Sequence, residues 1–266
     1  MEELRLGKGQ PDFVIMMITL ILLGIGLVMI YSASQIYAYM NYDGDSAYFL
    51  KRQAVWAVGG LMMMFLFMNI PYTLYKKLVP LILIGLLLMM GLVLTDLGVE
   101  RKGAQRWLNL GFIVVQPSEF VKIGIIIYLA SIYSKKQEYI NNFIRGVFPP
   151  LVIVGIFFCL ILLQKDLGTG MTLIIYTMVM IFCSGVQFRH MFGLGIVSAV
   201  IFFIFAYTQQ YRWNRIISFR DPWAYAETYG FQLIQSLYAI GHGGMTGTGF
   251  GNSIQKYLYL PDAHTD

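Results

Sequence analysis

The chain has 266 residues, of which 58% are apolar and 12% are charged, about half the roughly 25% charge of an average soluble domain. That composition excludes a water-soluble globule and a disordered chain, and 2 cysteines exclude a disulfide scaffold. The formal net charge of +5 points to membrane anchoring and to no nucleic-acid partner, because the basic residues punctuate apolar runs instead of clustering.

A bilayer core of about 30 Å takes about 20 mostly apolar residues as a helix, and lipid offers no partner to an open peptide group. Seven stretches fit, over 13–34, 53–70, 78–95, 117–134, 147–163, 171–184 and 191–208. The expected fold class is all-α, a polytopic integral membrane protein with about seven transmembrane helices in one membrane domain. The first run is too long for a cleaved signal peptide and has no small-residue cleavage site. The fifth and sixth are short, and only Gln164 to Gly170 separates them, which reads as a helical hairpin with a polar turn at the membrane face.

Arg5, Lys8, Lys76, Lys77, Lys135, Lys136, Arg145 and Arg189 fall densely in the short segments that a cytoplasmic N-terminus would place inside, and basic residues favour that side. Residues 35–52, 96–116 and the long tail 209–266 then lie outside. Cys159 and Cys183 sit in separate runs without CxxC spacing, and His190, His242 and His264 lack paired-ligand spacing, so neither set announces a metal. No Walker A sequence occurs, and the glycines at 241, 243, 244, 247, 249 and 251 do not form GxGxxG behind a strand; no nucleotide cofactor is expected.

Three polar clusters share the external side. In the first, Arg101 to Lys122, an amphipathic segment with Trp107 suits the interface, Pro117 suits a first helical turn, and Glu119 and Lys122 stand three apart on one helix face. This reads either as an ion pair at the headgroups or as an anionic-headgroup site built from Arg106, Glu119 and Lys122. The second, Gln164, Lys165 and Asp166, is explained by turn geometry alone. The third is the tail, too long for a plain connector. There Arg212, Arg215 and Arg220 suit phosphate oxygens, and the glycine run offers amides for an anion nest. Residues 232–240 have helical spacing with an apolar face, for the interface or for packing under the loop.

The strings RWLNLGFIVVQPSEFVK, QKDLGTG, RIISFRDPW and FQLIQSLYAIGHGGMTGTGFGNSIQKYLYLPDAHTD, in this order and spacing, resemble the SEDS (FtsW/RodA/SpoVE) family of shape, elongation, division and sporulation proteins. The resemblance covers essentially the whole chain, and YSAS, FLKRQ and DPW are more similar to its division and sporulation branch than to its elongation branch. It implies a peptidoglycan glycosyltransferase of the bacterial cytoplasmic membrane, polymerising lipid II (the undecaprenyl-pyrophosphate disaccharide-pentapeptide) beside a cognate class B penicillin-binding transpeptidase. It also implies about ten spans, so the chain is expected to be a fragment or truncated product that stops before the last three.

The resemblance carries an essential acid onto Asp266, at the end of an HTD motif completed by His264 and Thr265. Glu119 and Lys122 match its QPSEF-K positions, and Arg212 and Arg215 match basic positions ahead of the long external loop. Lys165 stands where many relatives have Pro, Asp262 where many have Glu, and Leu258 at a position acidic in some division enzymes. Such a reaction needs a base, positive charge for a departing pyrophosphate and a lipid-accessible groove. Asp266 is the expected catalytic base of an inverting displacement. Lys122, Glu119, Arg106, Arg212, Arg215, His264 and Thr265 are the expected substrate-binding set, and a divalent cation (Mg or Mn), whose ligands the sequence does not name, is the candidate cofactor. Two other classes stay open, a lipid II flippase and a non-catalytic scaffold for the transpeptidase. Charge gathered on one face, without a polar path through the bilayer, favours the polymerase over the flippase.

Overall fold

The computed structural model describes residues 11–101, 103–111, 113–135, 137–257 and 259–261. The chain falls into two units, Pro71–Gln209 and the pair of segments Met1–Ile70 and Gln210–Asp266. Helices α1 (Phe13–Asn41) and α2 (Tyr48–Met68) belong to the two-segment unit. The Pro71–Gln209 unit follows, with α3 (Tyr72–Val93), strands β1 (Gly98–Arg101), β2 (Ala104–Asn109) and β3 (Val114–Val115), then α4 (Pro117–Lys135), α5 (Phe148–Leu163), α6 (Leu167–Cys183) and α7 (Phe188–Tyr207). The chain then returns to the two-segment unit with α8 (Gln210–Arg220) and α9 (Phe231–Gly243).

Helix boundaries follow from local chemistry. Asp12 caps α1 by accepting from the amides of Val14 (2.9 Å) and Ile15 (3.2 Å), satisfying donors that a helix start leaves open. Pro71 precedes α3 and Pro117 opens α4, positions where a missing N–H removes no helical bond. A π-helical turn, Phe143–Val147, leads into α5, and Asn142 Oδ1 accepts from the Arg145 amide at 3.2 Å. Gly185, at φ +82, ends α6 in the left-handed conformation glycine adopts freely.

In the Pro71–Gln209 unit, α4 is the central helix. Val121, Ile125 and Leu129 are fully buried on it, and they form one core with Met90 of α3, Ile161 of α5, and Leu173 and Ile181 of α6. Gly124 permits the close approach of α3, since a Cβ there would lie 2.3 Å from Leu86 Cδ1. Each unit has a largely apolar surface. On α1 only Ser34 and Ala38 are buried, and on α7 only Ala206. Exposed apolar area on this scale is incompatible with water and natural in lipid. The protein is a helical, multi-pass membrane protein. By length and composition Phe13–Asn41, Tyr72–Val93, Phe143–Leu163 and Phe188–Tyr207 can each cross a bilayer, while Leu167–Cys183 is apolar but shorter.

Two features depart from the sequence expectations. The amphipathic segment around Trp107 is an antiparallel sheet in the order β1-β2-β3, pairing Val99 with Trp107 and, past a bulge, Glu100 with Gln105; Leu108 pairs with Val115. Gly103, at φ +77, closes the β1–β2 turn. In the long tail α8 is a helix the sequence did not announce, whereas α9 covers the expected helical stretch 232–240. Their Tyr- and Phe-rich faces pack locally, as in the edge-to-face ring pairs Tyr211–Tyr229 at 6.1 Å and Trp223–Tyr238 at 5.7 Å.

Candidate active site

The polar groups of the Pro71–Gln209 unit converge on the short turn between α5 and α6. Asp166 is only 4% exposed and serves as the N-cap of α6. Its carboxylate accepts from the Thr169 amide (3.1 Å), the Thr169 hydroxyl (2.8 Å) and Gln116 Nε2 (3.4 Å). Arg106, on β2, brings Nε to 3.6 Å from the same carboxylate and donates from Nη2 to the Lys165 carbonyl at 2.9 Å. The Nε contact is an ion pair too long for a hydrogen bond, and Nε has no other acceptor.

Backbone geometry sharpens this turn. Lys165 has φ +59, a left-handed value that costs an L-residue about 1–2 kcal/mol. The preceding Gln164 is buried and donates to the Met90 carbonyl of α3 at 3.4 Å. The turn is thus held by α3 through Gln164, by the sheet through Arg106 and by the start of α4 through Gln116. Turn chemistry alone does not explain Asp166, whose buried carboxylate joins three hydrogen-bond donors and one ion-pair partner from three segments.

Glu119 and Lys122 pair with each other on the first turns of α4, Nζ to Oε2 at 2.8 Å, with 19% of the Lys122 side chain and 53% of that of Glu119 exposed. Arg106, grouped with them on sequence, is instead engaged by Asp166 and Lys165. Arg212 and Arg215 stand on α8 in the other unit. The Arg215 guanidinium lies 4.6 Å from the centre of the Tyr211 ring, within cation–π range. Between α8 and α9 is an open cavity of about 460 Å³ bordered by Arg215, Ser218, Tyr229, Gln232, Leu233 and Ser236. Asp266, His264 and Thr265 lie outside the described residues.

Sequence reasoning missed Asp166 as the partner of Arg106, and it missed the burial of Gln255 and Lys256 beyond the glycine-rich run. An aspartate directly before LGTG carried the signal for a helix cap. Nothing local signals its partner on β2. Among the described residues, no cluster of three His, Cys, Asp or Glu side chains could hold a metal ion.

Comparison with known proteins gives the following matches. The FtsW/RodA/SpoVE family model, described as cell cycle protein, matches residues 13–266. Stage V sporulation protein E of Bacillus subtilis is 41% identical over 260 residues, which is 97% of this chain and 71% of that protein. A probable peptidoglycan glycosyltransferase FtsW of Geobacter sp. (strain M18) is 38% identical over 256 residues, 96% of this chain and 70% of that one. In a solved peptidoglycan synthase complex, one chain is similar with a TM-score of 0.60 and 27% identity, covering 83% of this chain and 65% of its own length.

Proposed function

The chain belongs to the FtsW/RodA/SpoVE family of cell cycle proteins, and from that premise we propose that it is a peptidoglycan glycosyltransferase that polymerises lipid II at the outer face of the bacterial cytoplasmic membrane. The observation that carries this reading is the likeness, over 96% of the chain, to a relative named a probable peptidoglycan glycosyltransferase. The synthase-complex likeness supports a penicillin-binding transpeptidase as partner, and the relatives' names support division or sporulation as the setting. The N-terminus is cytoplasmic on this reading, which places the β-sheet, the α5–α6 turn and the tail outside.

In the reaction, the 4-hydroxyl of an acceptor sugar attacks the anomeric carbon of the donor from the face opposite its pyrophosphate. The new C–O bond forms as the bond from that carbon to the pyrophosphate oxygen breaks. The configuration inverts, the hydroxyl proton passes to the Asp266 carboxylate, and the lipid pyrophosphate leaves as an anion. A base for this step needs a carboxylate whose proton affinity is raised toward neutral pH. Lys122, Arg212 and Arg215 supply positive charge for the leaving group, and Glu119, paired with Lys122, fixes the position of that ammonium. The Arg106–Asp166 contact holds β2 against the α5–α6 turn and so shapes the outer face of the Pro71–Gln209 unit.

The test is polymerisation by the purified protein, given lipid II and scored by gel for glycan length. Glycan strands are expected. Headgroup translocation in liposomes without any glycan would replace this reading with the flippase.

A further inference from the structure

Beyond α9 the chain turns through Gly247, Gly249 and Gly251 at φ +77, +89 and +78, backbone values that glycine alone takes without strain. The stretch is anchored, because the Gly251 amide donates to Ser32 Oγ on α1 at 3.2 Å. A second turn follows, with the Tyr257 amide bonded to the Ile254 carbonyl and the Leu260 amide to the Gln255 carbonyl, both at 3.1 Å. In it stand two polar side chains withdrawn from solvent, Gln255 at 8% exposure and Lys256 at 6%.

Their hydrogen-bonding deficits are opposite in kind. Lys256 Nζ donates to the Gly251 carbonyl and lies 5.7 Å from the centre of the Tyr257 ring. Among the described residues no carboxylate pairs with it. An ammonium has three donors, and burying it without counter-charge is costly. Gln255 Oε1 is buried with no donor at all, a group that native structures rarely leave unmet. A cation with donors to spare beside an acceptor without a donor matches a ligand that carries both anionic oxygens and hydroxyl or amide hydrogens. A Cβ on Gly251 would stand 3.8 Å from Lys256 Nζ, so no side chain separates that backbone from the ammonium.

We propose that Lys256 and Gln255 form a binding site for the headgroup of a lipid-linked glycosyl phosphate. The Lys256 ammonium takes phosphoryl oxygens, and Gln255 Oε1 accepts from a sugar hydroxyl or amide. Choosing lipid II as the natural ligand rests on the polymerase reading above, whereas the site itself stands on burial and unmet hydrogen bonds.

The experiment titrates the purified protein in nanodiscs with lipid II, undecaprenyl pyrophosphate and phosphatidylglycerol. Lys256→Met keeps the apolar stem and removes the charge. It is expected to weaken lipid II and undecaprenyl pyrophosphate roughly tenfold or more, the scale of a lost charge-assisted contact, with no fall in the thermal midpoint. Gln255→Leu is expected to weaken lipid II alone, since only that probe carries sugar, and Lys256→Arg to retain part of the affinity. Should Lys256→Met fail to fold, Gln255→Glu decides, because an internal carboxylate beside the ammonium competes with phosphoryl groups and lowers affinity for both prenyl lipids.

Wild-type affinity for both prenyl lipids in Lys256→Met, or in Gln255→Glu where that variant decides, overturns the proposal. So does an equal loss on phosphatidylglycerol, which would assign the phosphoryl group to bulk bilayer lipid. Failure of the polymerase reading appears separately, as absence of glycan from the wild-type protein, and leaves the binding result standing.

Discussion

Replacing Asp166 with alanine removes a carboxylate that caps α6, accepts from Gln116 and faces Arg106. Loss of an N-cap costs about 1 kcal/mol, and leaving buried donors unmet costs about 1–3 kcal/mol. Breaking a buried ion pair costs about 3–5 kcal/mol, but 32% of the Arg106 side chain is exposed, so water recovers much of that part. The expected total for Asp166→Ala is about 2–4 kcal/mol, a fall of roughly 4–8 °C in Tm at about 2 °C per kcal/mol for a chain of this size. Asp166→Asn keeps a capping oxygen and loses the charge, so it should cost about half as much. The assay is thermal unfolding in detergent for wild type, Arg106→Ala, Asp166→Ala and the double variant. Residues in one polar network couple by about 0.5–3 kcal/mol, so the double variant should fall short of the sum by at least about 1 kcal/mol. Strict additivity would refute the view that Arg106 and Asp166 act as a unit.

Lys165→Gly should stabilise the protein by up to about 1 kcal/mol, because φ +59 strains an L-residue but not glycine. The same thermal assay reads it, and a fall in Tm for Lys165→Gly contradicts the geometry. In the α1–α2 turn, the hydrogen bond from Lys51 at 2.9 Å holds the Asp45 carboxyl below its ordinary value of 3.8. The native state therefore binds that proton less readily than the unfolded chain. The contribution is complete above the ordinary value and is lost as pH falls through the depressed one. A carboxyl titration should find Asp45 below 3.8 in the wild type and back in the ordinary range in Lys51→Met, and an unchanged Asp45 in that variant would contradict the assignment.

How much could be read from the residues depended on whether the signal was local. The apolar runs that open after Asp12 and Pro71 and at Pro117 mark helices by length, hydropathy and caps, all of which are properties of neighbouring residues. The β1–β2 hairpin also had a local signature, since Gly103 sits between Arg101 and a short Ala104–Asn109 strand ending at the Asn109–Gly111 turn; the apolar character of Trp107 and Leu108 masked it. Arg106 and Asp166 are paired across β2 and the α5–α6 turn, and no periodicity reports a contact at that separation. Lys256 reads as a solvated charge on sequence, and only the folded turn reveals that it is buried. In the tail the helical spacing of 232–240 marks α9, whereas the polar α8, of 11 residues, is too short to announce itself and reads as loop.

The claim that the chain builds glycan with a carboxylate base rests on Asp266. Purified wild type and Asp266→Asn are compared for lipid II binding and for polymer formation in the same membranes. The variant is expected to bind lipid II as the wild type does and to make no glycan. Glycan from Asp266→Asn at the wild-type rate would contradict it.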